Sequence, residues 1–195
     1  MLDLRRSTTG FVSVIGHRGA LASAPENTLP SYEEALAQGA DVIELDIHMS
    51  RDRELVVIHD FTVDRTTDGK GYVKDLPLAE LKRLDAASRF SPALKNARIP
   101  LLREVLEWAK GQVWLAVEIK SDWITYDGIE AILVDQLCRY EMVDQVMVVS
   151  FDHCCLRRVK DHEPNVTTGA IYNARFVDLH KELQDAIIAR TEHTL

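Results

Sequence analysis

An apolar stretch near the start of the chain carries polar side chains at every second position. Glu44, Asp46 and His48 alternate there with aliphatic residues. Because successive side chains of a β-strand point to opposite faces, these three share one face of a strand. Buried carboxylates are costly unless a cation neutralises them. The pattern therefore favours a site for a hard divalent metal over the alternative, a solvated polar face.

A second strand-like stretch repeats this arrangement. Glu118 and Lys120 fall on the face opposite the aliphatic residues of 112–119, so that a third carboxylate arrives together with an ammonium group. Three oxygen ligands with open coordination positions suit Mg²⁺ or Ca²⁺, either of which can bridge to a phosphate. Since the pattern contains neither thiolates nor paired histidines, zinc is disfavoured.

Imidazoles and a guanidinium follow at the ends of other strand-like stretches. His17 and Arg18 stand between two glycines, and His59 precedes Asp60. Taken alone, a His-Arg pair is more often a surface or core feature than a site. Together with three acids and a lysine, these residues supply what phosphodiester cleavage needs: an acid, a base, a metal site and an anion clamp.

The elements that must position these residues alternate along the chain. Apolar, β-rich runs and helical patterns follow one another, which predicts an α/β domain of βαβ units with five core strands. The strands are expected at residues 12–15, 42–49, 112–119, 145–149 and 166–171, and the helices at 29–38, 101–110, 126–140, 151–161 and 176–190. A further run, 55–59, follows the second strand so closely that it predicts the return arm of a hairpin.

The stretch from residue 61 to residue 100 interrupts this alternation. It contains turn signals such as Asp68-Gly69 and Ser91-Pro92 around one short helical pattern at 78–84. We expect 61–100 to form a cap insertion of the kind that covers a barrel mouth. The cap would belong to a single domain that spans residues 1–195.

Length and composition restrict the classes of protein to consider. The chain has 195 residues, 46% of them hydrophobic and 28% charged, as expected for one globular domain. A formal charge of -8 without a basic run disfavours nucleic acid as a partner. No apolar run approaches the roughly 20 residues of a membrane span, which predicts no integral membrane segment and a cytoplasmic location. Three cysteines, two of them adjacent, predict reduced structural thiols.

Several short motifs follow one another in an order and spacing that resemble the glycerophosphodiester phosphodiesterase family. They are Gly16-His17-Arg18-Gly19, Pro25-Glu26-Asn27-Thr28, Glu44-Leu45-Asp46, His59-Asp60, Asp64-Arg65-Thr66-Thr67-Asp68-Gly69, Glu118-Ile119-Lys120 and Ser150-Phe151-Asp152. The resemblance covers roughly residues 11 to 172. It implies a TIM-type (β/α) barrel whose functional residues lie at the carboxyl ends of the strands.

The resemblance also implies a role for each candidate residue. The divalent metal would be held by three carboxylates, those of Glu44, Asp46 and Glu118. The general acid and base would be His17 and His59, and the phosphate would be gripped by Arg18 and Lys120. The substrate would be a small-molecule glycerophosphodiester, whose 2-hydroxyl attacks phosphorus and expels an alcohol. Water would then open the resulting cyclic phosphate to glycerol 3-phosphate.

Two alternatives to this function are considered. One is a phospholipase D-like enzyme acting on lysolipids or sphingolipids, which would call for an apolar rim, whereas the expected cap is mostly polar. The other is a catalytically silent remnant that binds a phosphorylated ligand. The intact set of acids and histidines argues against this second alternative, whereas the lack of the family's later strands argues for it.

One departure from the family pattern concerns the end of the barrel. Family members usually run to about 250 residues and include later strands resembling Trp-Thr-Val-Asn and Gly-Ile-Ile-Thr-Asp, which this sequence lacks. About five of eight core strands would make an incomplete barrel. We expect compromised activity and self-association through the open strand edges.

Overall fold

The computed structural model describes residue 10 and residues 12–91, 97–121 and 124–172. This part of the chain forms one sheet of six strands: β1 (Ile15–His17), β2 (Val42–Met49), β3 (Leu55–Val57), β4 (Trp114–Ile119), β5 (Val146–Ser150) and β6 (Thr167–Ala170). The order across the sheet is β1-β2-β4-β5-β6, and every neighbouring pair in this row is parallel. β3 pairs antiparallel with the end of β2. The prediction of five core strands and a hairpin arm is therefore confirmed.

Helices connect the parallel strands, as βαβ units require. They are α1 (Leu29–Ala37), α2 (Leu78–Leu81), α3 (Leu102–Ala109), α4 (Ile129–Arg139) and α5 (His153–His162). The helix expected at 176–190 lies outside the described residues. Within the described ranges, no helix combines the length and apolar character needed to cross a membrane.

The first strand begins later than the sequence predicted. We expected it at 12–15, but pairing with β2 starts only where Ile15 lies opposite Val42. The carbonyl of Val14 accepts hydrogen bonds from the backbone N–H groups of Asp41 and Val42, so the chain already runs beside β2 before the regular ladder begins. The apolar run therefore marks the approach to the strand, while Gly16 and His17 belong to the strand itself.

Local sequence explains where two of the helices begin. Thr28 precedes α1 in an extended conformation and accepts a hydrogen bond from the backbone N–H of Ser31, and Pro30 stands in the first turn where a missing donor is harmless. Asp152 caps α5 in the same way by accepting from the backbone N–H of Cys154. Both caps follow directly on loops at the carboxyl ends of strands, so they fix the geometry of those loops.

The main hydrophobic core lies between the sheet and the helices. The aliphatic residues of β2 and β4 are fully or almost fully buried there, against α3, α4 and α5. They are Ile43, Leu45, Ile47, Leu115, Val117 and Ile119. Their alternation leaves the polar residues of both strands on the other face of the sheet.

The described parts of 61–100 have a small core of their own. It is built on Val63, Val73, Leu81 and Ile99, which are buried against the hairpin arm at Val56. This stretch contains a 3₁₀ turn at Val73–Asp75 and the short helix α2, close to the helical pattern expected at 78–84. The cap function of the insertion stays a prediction.

Candidate active site

The register of the parallel strands brings the polar residues of different strands side by side. His17 of β1 lies opposite Glu44 of β2, and Asp46 of β2 lies opposite Glu118 of β4. Since parallel strands end at the same edge of a sheet, all four side chains meet at the carboxyl ends of β1, β2 and β4.

The three acidic side chains form a compact cluster. One carboxylate oxygen from each of Glu44, Asp46 and Glu118 lies within 4.8 Å of the other two. Asp46 and Glu118 are buried, and Glu44 is largely so. Burial, reinforced by the neighbouring Asp46 carboxylate, raises the pKa of Glu44 to about 8. Three oxygen donors that oppose one another's ionisation in this way are chemically suited to a hard divalent cation.

Asn27 holds the central member of this cluster. Its side-chain amide donates to Asp46 Oδ2 at 2.9 Å, and its Oδ1 accepts from the Asp46 backbone N–H at 3.3 Å and from the Tyr32 hydroxyl at 3.2 Å. Asn27 has a φ of 55°, in the left-handed region that asparagine tolerates well. Residue spacing did not identify this role. The only signal was its place in the Pro25-Glu26-Asn27-Thr28 motif.

Lys120 links the acidic cluster to the second histidine. Its ammonium donates to Glu118 Oε1 at 2.7 Å and lies 3.7 Å from Asp46 Oδ1. It also lies 3.4 Å from Nε2 of His59. The side chain is only 7% exposed, so the charge is compensated within the site rather than by water.

The hydrogen bonds of His59 indicate its tautomer. Nδ1 lies 2.7 Å from Oδ1 of Asp60, and a carboxylate can only accept, so Nδ1 carries a proton. Nε2 faces the ammonium of Lys120, which can only donate. In the neutral ring, Nε2 is therefore the basic nitrogen that points toward the carboxylate cluster.

His48 is a structural residue rather than a member of the reactive set. Its Nε2 donates to the backbone carbonyl of His59 at 3.0 Å, and its Nδ1 accepts from the Tyr126 hydroxyl at 2.7 Å. The residue is fully buried, and this burial lowers the pKa of His48 to about 4. It is thus neutral at neutral pH and fixes the backbone from which the His59 side chain projects.

The last residue of β1, His17, and the first residue of the following turn, Arg18, lie on the opposite side of the cluster. The His17 ring is 62% exposed, and its Nε2 lies 3.9 Å from Oε2 of Glu44. The backbone N–H of Arg18 donates to the same Glu44 oxygen at 2.9 Å. The turn requires a glycine at position 19, because its φ is +86° and a Cβ there would lie only 2.4 Å from Oγ of Ser31. Burial, followed by the charge of Arg18, lowers the pKa of His17.

The Arg18 guanidinium lies between two acids. Its Nη1 donates to Glu26 Oε1 at 3.1 Å, and its Nε lies 3.6 Å from Asp46 Oδ2. That Nε is buried and has no hydrogen-bond partner among the described residues. A buried donor without a partner is costly, so this N–H is suited to an acceptor on a bound molecule.

The structure thus brings all seven residues singled out in the sequence into one site. They are His17, Arg18, Glu44, Asp46, His59, Glu118 and Lys120. The arrangement can bind a divalent cation, hold an anionic group between a guanidinium and an ammonium, and exchange protons through two imidazoles on opposite sides.

Comparisons with known proteins show which sequences and structures this chain resembles. The model of the glycerophosphoryl diester phosphodiesterase family matches residues 17–190. A glycerophosphodiester phosphodiesterase of Caldanaerobacter subterraneus is 43% identical over 166 residues, which cover 85% of this chain and 68% of that protein. A structure of the Agrobacterium tumefaciens glycerophosphodiester phosphodiesterase matches with a TM-score of 0.75 and 34% identity over 81% of this chain and 66% of that one.

A third relative has a bound product. A phosphodiesterase of Oleispira antarctica, in complex with sn-glycerol 3-phosphate, matches with a TM-score of 0.77 and 33% identity, covering 91% of this chain and 72% of that one. This chain spans about two thirds of the length of such relatives. The structural matches are TIM-type barrels, so the incomplete (β/α) barrel expected from the sequence is confirmed. The chain belongs to the glycerophosphoryl diester phosphodiesterase family.

Proposed function

We propose that this chain is a metal-dependent phosphodiesterase that hydrolyses glycerophosphodiesters to glycerol 3-phosphate and an alcohol. The observation that carries the proposal is the meeting of three carboxylates, two imidazoles and two cationic side chains at the ends of β1, β2 and β4 and of the hairpin arm. The relatives are named for this activity, and one of them holds glycerol 3-phosphate.

The metal would be held by Glu44, Asp46 and Glu118. The raised pKa of Glu44 and the close approach of the three carboxylates support this assignment. When bound, a divalent ion such as Mg²⁺ or Ca²⁺ supplies charge neutralisation and polarisation of a phosphoryl oxygen. Asn27 keeps the Asp46 carboxylate oriented through two hydrogen bonds.

The phosphate group would be gripped by Arg18 and Lys120 from two sides. The Nε–H of Arg18, which has no hydrogen-bond partner within the described part of the chain, is the donor best placed to gain an acceptor when the phosphate enters. Lys120 contributes a second positive charge from the end of β4. Both cations would stabilise negative charge that develops on the phosphoryl oxygens during displacement.

Proton transfer would be divided between His17 and His59. In the two-step path that the family resemblance implies, one imidazole removes the proton of the attacking glycerol 2-hydroxyl while the other protonates the departing alcohol oxygen. Their roles reverse when water opens the cyclic phosphate. The inward Nε2 of His59 and the exposed ring of His17 support a division of this kind, with one histidine on each side of the reacting group.

A direct assay tests this proposal. The chain, freed of metal by a chelator, is incubated with glycerophosphocholine, and release of glycerol 3-phosphate is measured without metal and with added Mg²⁺ or Ca²⁺. Metal-dependent release that is lost in His59→Ala supports the function. If glycerol 3-phosphate is absent under all metal conditions although the chain folds and binds metal, the chain is a silent binding protein. Preferential release of the head-group alcohol from lysolipids would favour the lipid-active alternative.

A further inference from the structure

One segment beside the site has no role in the mechanism above. The motif Asp64-Arg65-Thr66-Thr67-Asp68-Gly69 follows the hairpin arm, and its arginine reaches back toward two of the site's loops. Arg65 contacts neither the carboxylate cluster nor a histidine directly in the described contacts. Its four hydrogen bonds go instead to residues that hold catalytic or binding side chains.

Arg65 makes two forked pairs with acids on different loops. Nε and Nη2 donate to the two carboxylate oxygens of Asp60 at 2.7 and 3.0 Å. Nη1 and Nη2 donate to the two carboxylate oxygens of Glu26 at 2.8 and 2.7 Å. Such bidentate geometry is specific to the planar guanidinium, because the ammonium of a lysine cannot present paired donors to two carboxylates at once.

Each of these acids holds one functional side chain on its other side. Asp60 accepts from Nδ1 of His59 at 2.7 Å, and Glu26 accepts from Nη1 of Arg18 at 3.1 Å. A continuous chain of hydrogen bonds therefore runs from the imidazole beside Lys120, through Arg65, to the guanidinium beside Asp46. It joins the loop after β1 to the loop after β3, which are far apart in sequence.

We propose that Arg65 is a positioning residue that couples the phosphate-binding Arg18 to the acid/base His59 through the bridge Glu26–Arg65–Asp60. The bridge fixes the His59 tautomer with Nδ1 protonated, so that Nε2 is presented to the reacting group. It also fixes the Arg18 guanidinium so that Nε, rather than a terminal nitrogen, faces the cluster. This inference rests on the proposed function, because only that function gives these two groups a common substrate.

The pKa values of the two acids support a bridge whose carboxylates are ionised at neutral pH. Burial works against ionisation of Asp60, but the hydrogen bonds from Arg65 and His59 prevail and lower its pKa to about 2. The hydrogen bond from Arg65 is the largest cause of the lowered pKa of Glu26. Both acids are therefore ionised at neutral pH. Because Arg65 itself is half exposed, its ion pairs are of the kind that contribute little to overall stability.

The test compares Arg65→Ala and Arg65→Lys with the wild type and with Arg103→Ala. Arg103 is a matched control because it is similarly exposed and pairs with Glu54, which takes no part in the site. Loss of a group that orients a metal ligand typically costs about 10- to 100-fold in activity, and we expect an effect of the same order for a group that orients an acid/base residue. We expect kcat to fall by that factor in Arg65→Ala and to be only partly restored in Arg65→Lys. Affinity for Mg²⁺ or Ca²⁺ and the melting temperature should stay close to those of the wild type.

A spectroscopic measurement separates this inference from the proposed function. Long-range ¹H–¹⁵N correlation spectra report the tautomer of a neutral imidazole without any turnover. The wild type and Arg103→Ala should show His59 in the Nδ1–H form, and Arg65→Ala should show a mixture of tautomers. If the wild type has no activity, the proposed function fails while this measurement still tests the bridge.

Non-additivity gives a further criterion. Removing Arg65 in an Asp60→Asn background should cost little beyond the single variants, because both changes break the same bridge. Fully additive losses, an unchanged His59 tautomer in Arg65→Ala, or wild-type kcat in that variant would each overturn the inference. Should Arg65→Ala fail to fold, Arg65→Lys removes the paired donors with a smaller change in shape. Its kcat should still lie below that of the wild type, and wild-type kcat in Arg65→Lys would then overturn the inference.

Discussion

The centre and the edge of the parallel sheet differ in burial and in the way they hold functional groups. β2 pairs with β1, β3 and β4, and its Ile47 is 0% exposed. Among the described residues β1 pairs with β2 alone, is three residues long and leaves Ile15 44% exposed. The three clustered carboxylates lie on the central strands, whereas His17 and Arg18 stand at the end of the edge strand.

This difference indicates two ways in which the fold positions functional side chains. Asp46 and Glu118 are placed by ladder hydrogen bonds and a packed core behind them, so their positions are set by the fold. Arg18 and His59 are placed by side-chain hydrogen bonds between loops, to Glu26 and Asp60. Changes at the centre should therefore alter both stability and chemistry, while changes at the edge should alter chemistry alone.

The largest effect is expected from removing either imidazole. His17→Ala and His59→Ala should each lower kcat by about 10²- to 10⁴-fold, the usual contribution of general acid–base catalysis. Because His17 is mostly exposed and lies at the edge strand, His17→Ala should leave the unfolding transition and metal affinity unchanged. Steady-state kinetics, calorimetric metal titration and thermal unfolding check this. The exposed His162→Ala serves as control, and a near-normal rate in either site variant would remove that histidine from the mechanism.

A change at the centre of the cluster should remove metal binding as well. Asp46→Asn keeps the shape of the side chain but deletes the charge of a carboxylate that has an oxygen within 4.8 Å of the other two, so affinity for Mg²⁺ or Ca²⁺ should fall by about 100-fold or more. Metal that binds only the folded state raises the melting temperature of the wild type, and this rise should vanish in the variant. Asp135→Asn, on an exposed helix surface, is the control. Equal affinity in both variants would contradict the ligand assignment.

The sequence predicted the central part of the molecule well because alternation carries strong information there. Polar residues at every second position of β2 and β4 indicated both the strands and the shared face, and the structure places Glu44, Asp46 and Glu118 together as expected. The strand bounds at 42–49 agree with those observed. Both faces of β2 and β4 are buried, and the aliphatic residues pack against the helices on one of these faces. The alternation with charged residues on the other face is therefore easy to interpret.

The contacts between loops could not be predicted in the same way. Asn27 and Arg65 lie in recognisable motifs, but the sequence does not show which residues they contact. Asn27 reaches Asp46 from a left-handed turn, and the long side chain of Arg65 reaches Glu26 and Asp60. These contacts become visible only in the three-dimensional structure. The start of β1 was also misplaced, because the exposed apolar residues Val12 and Val14 lie before the ladder, which begins at Ile15. The alternation of apolar and polar residues does not locate an edge strand accurately when that strand is only partly buried.

Core truncations provide a direct measure of the difference between centre and edge. Ile47→Ala leaves a cavity in a fully buried site and should lower the free energy of unfolding by about 2–5 kcal/mol. Ile15→Ala removes a half-exposed side chain and should cost less than about 1 kcal/mol. Urea unfolding of both variants under metal-free conditions measures the two values. Similar costs would mean that the edge strand is covered in solution.

The smallest expected effect concerns the edge itself. Val12 and Val14, just before β1, and Ile15, at its start, are 69%, 55% and 44% exposed. Among the described residues the other side of β1 has no strand partner, and an edge with apolar neighbours tends to pair with another chain. We therefore expect the chain to self-associate with increasing concentration, as the sequence also predicted. Val14→Lys places a charge on this edge and removes one apolar side chain from any interface, whose burial contributes about 1.5–3 kcal/mol. Since 1.4 kcal/mol corresponds to about a tenfold change in an equilibrium constant, the dissociation constant measured by light scattering or sedimentation should rise by about tenfold or more.

Tyr72→Lys, at a side chain that is 50% exposed in the inserted stretch, should leave association unchanged. A wild type that stays monomeric at all concentrations would show that the edge of β1 does not act as an interface, whereas equal effects of both lysines would point to a general change in surface charge.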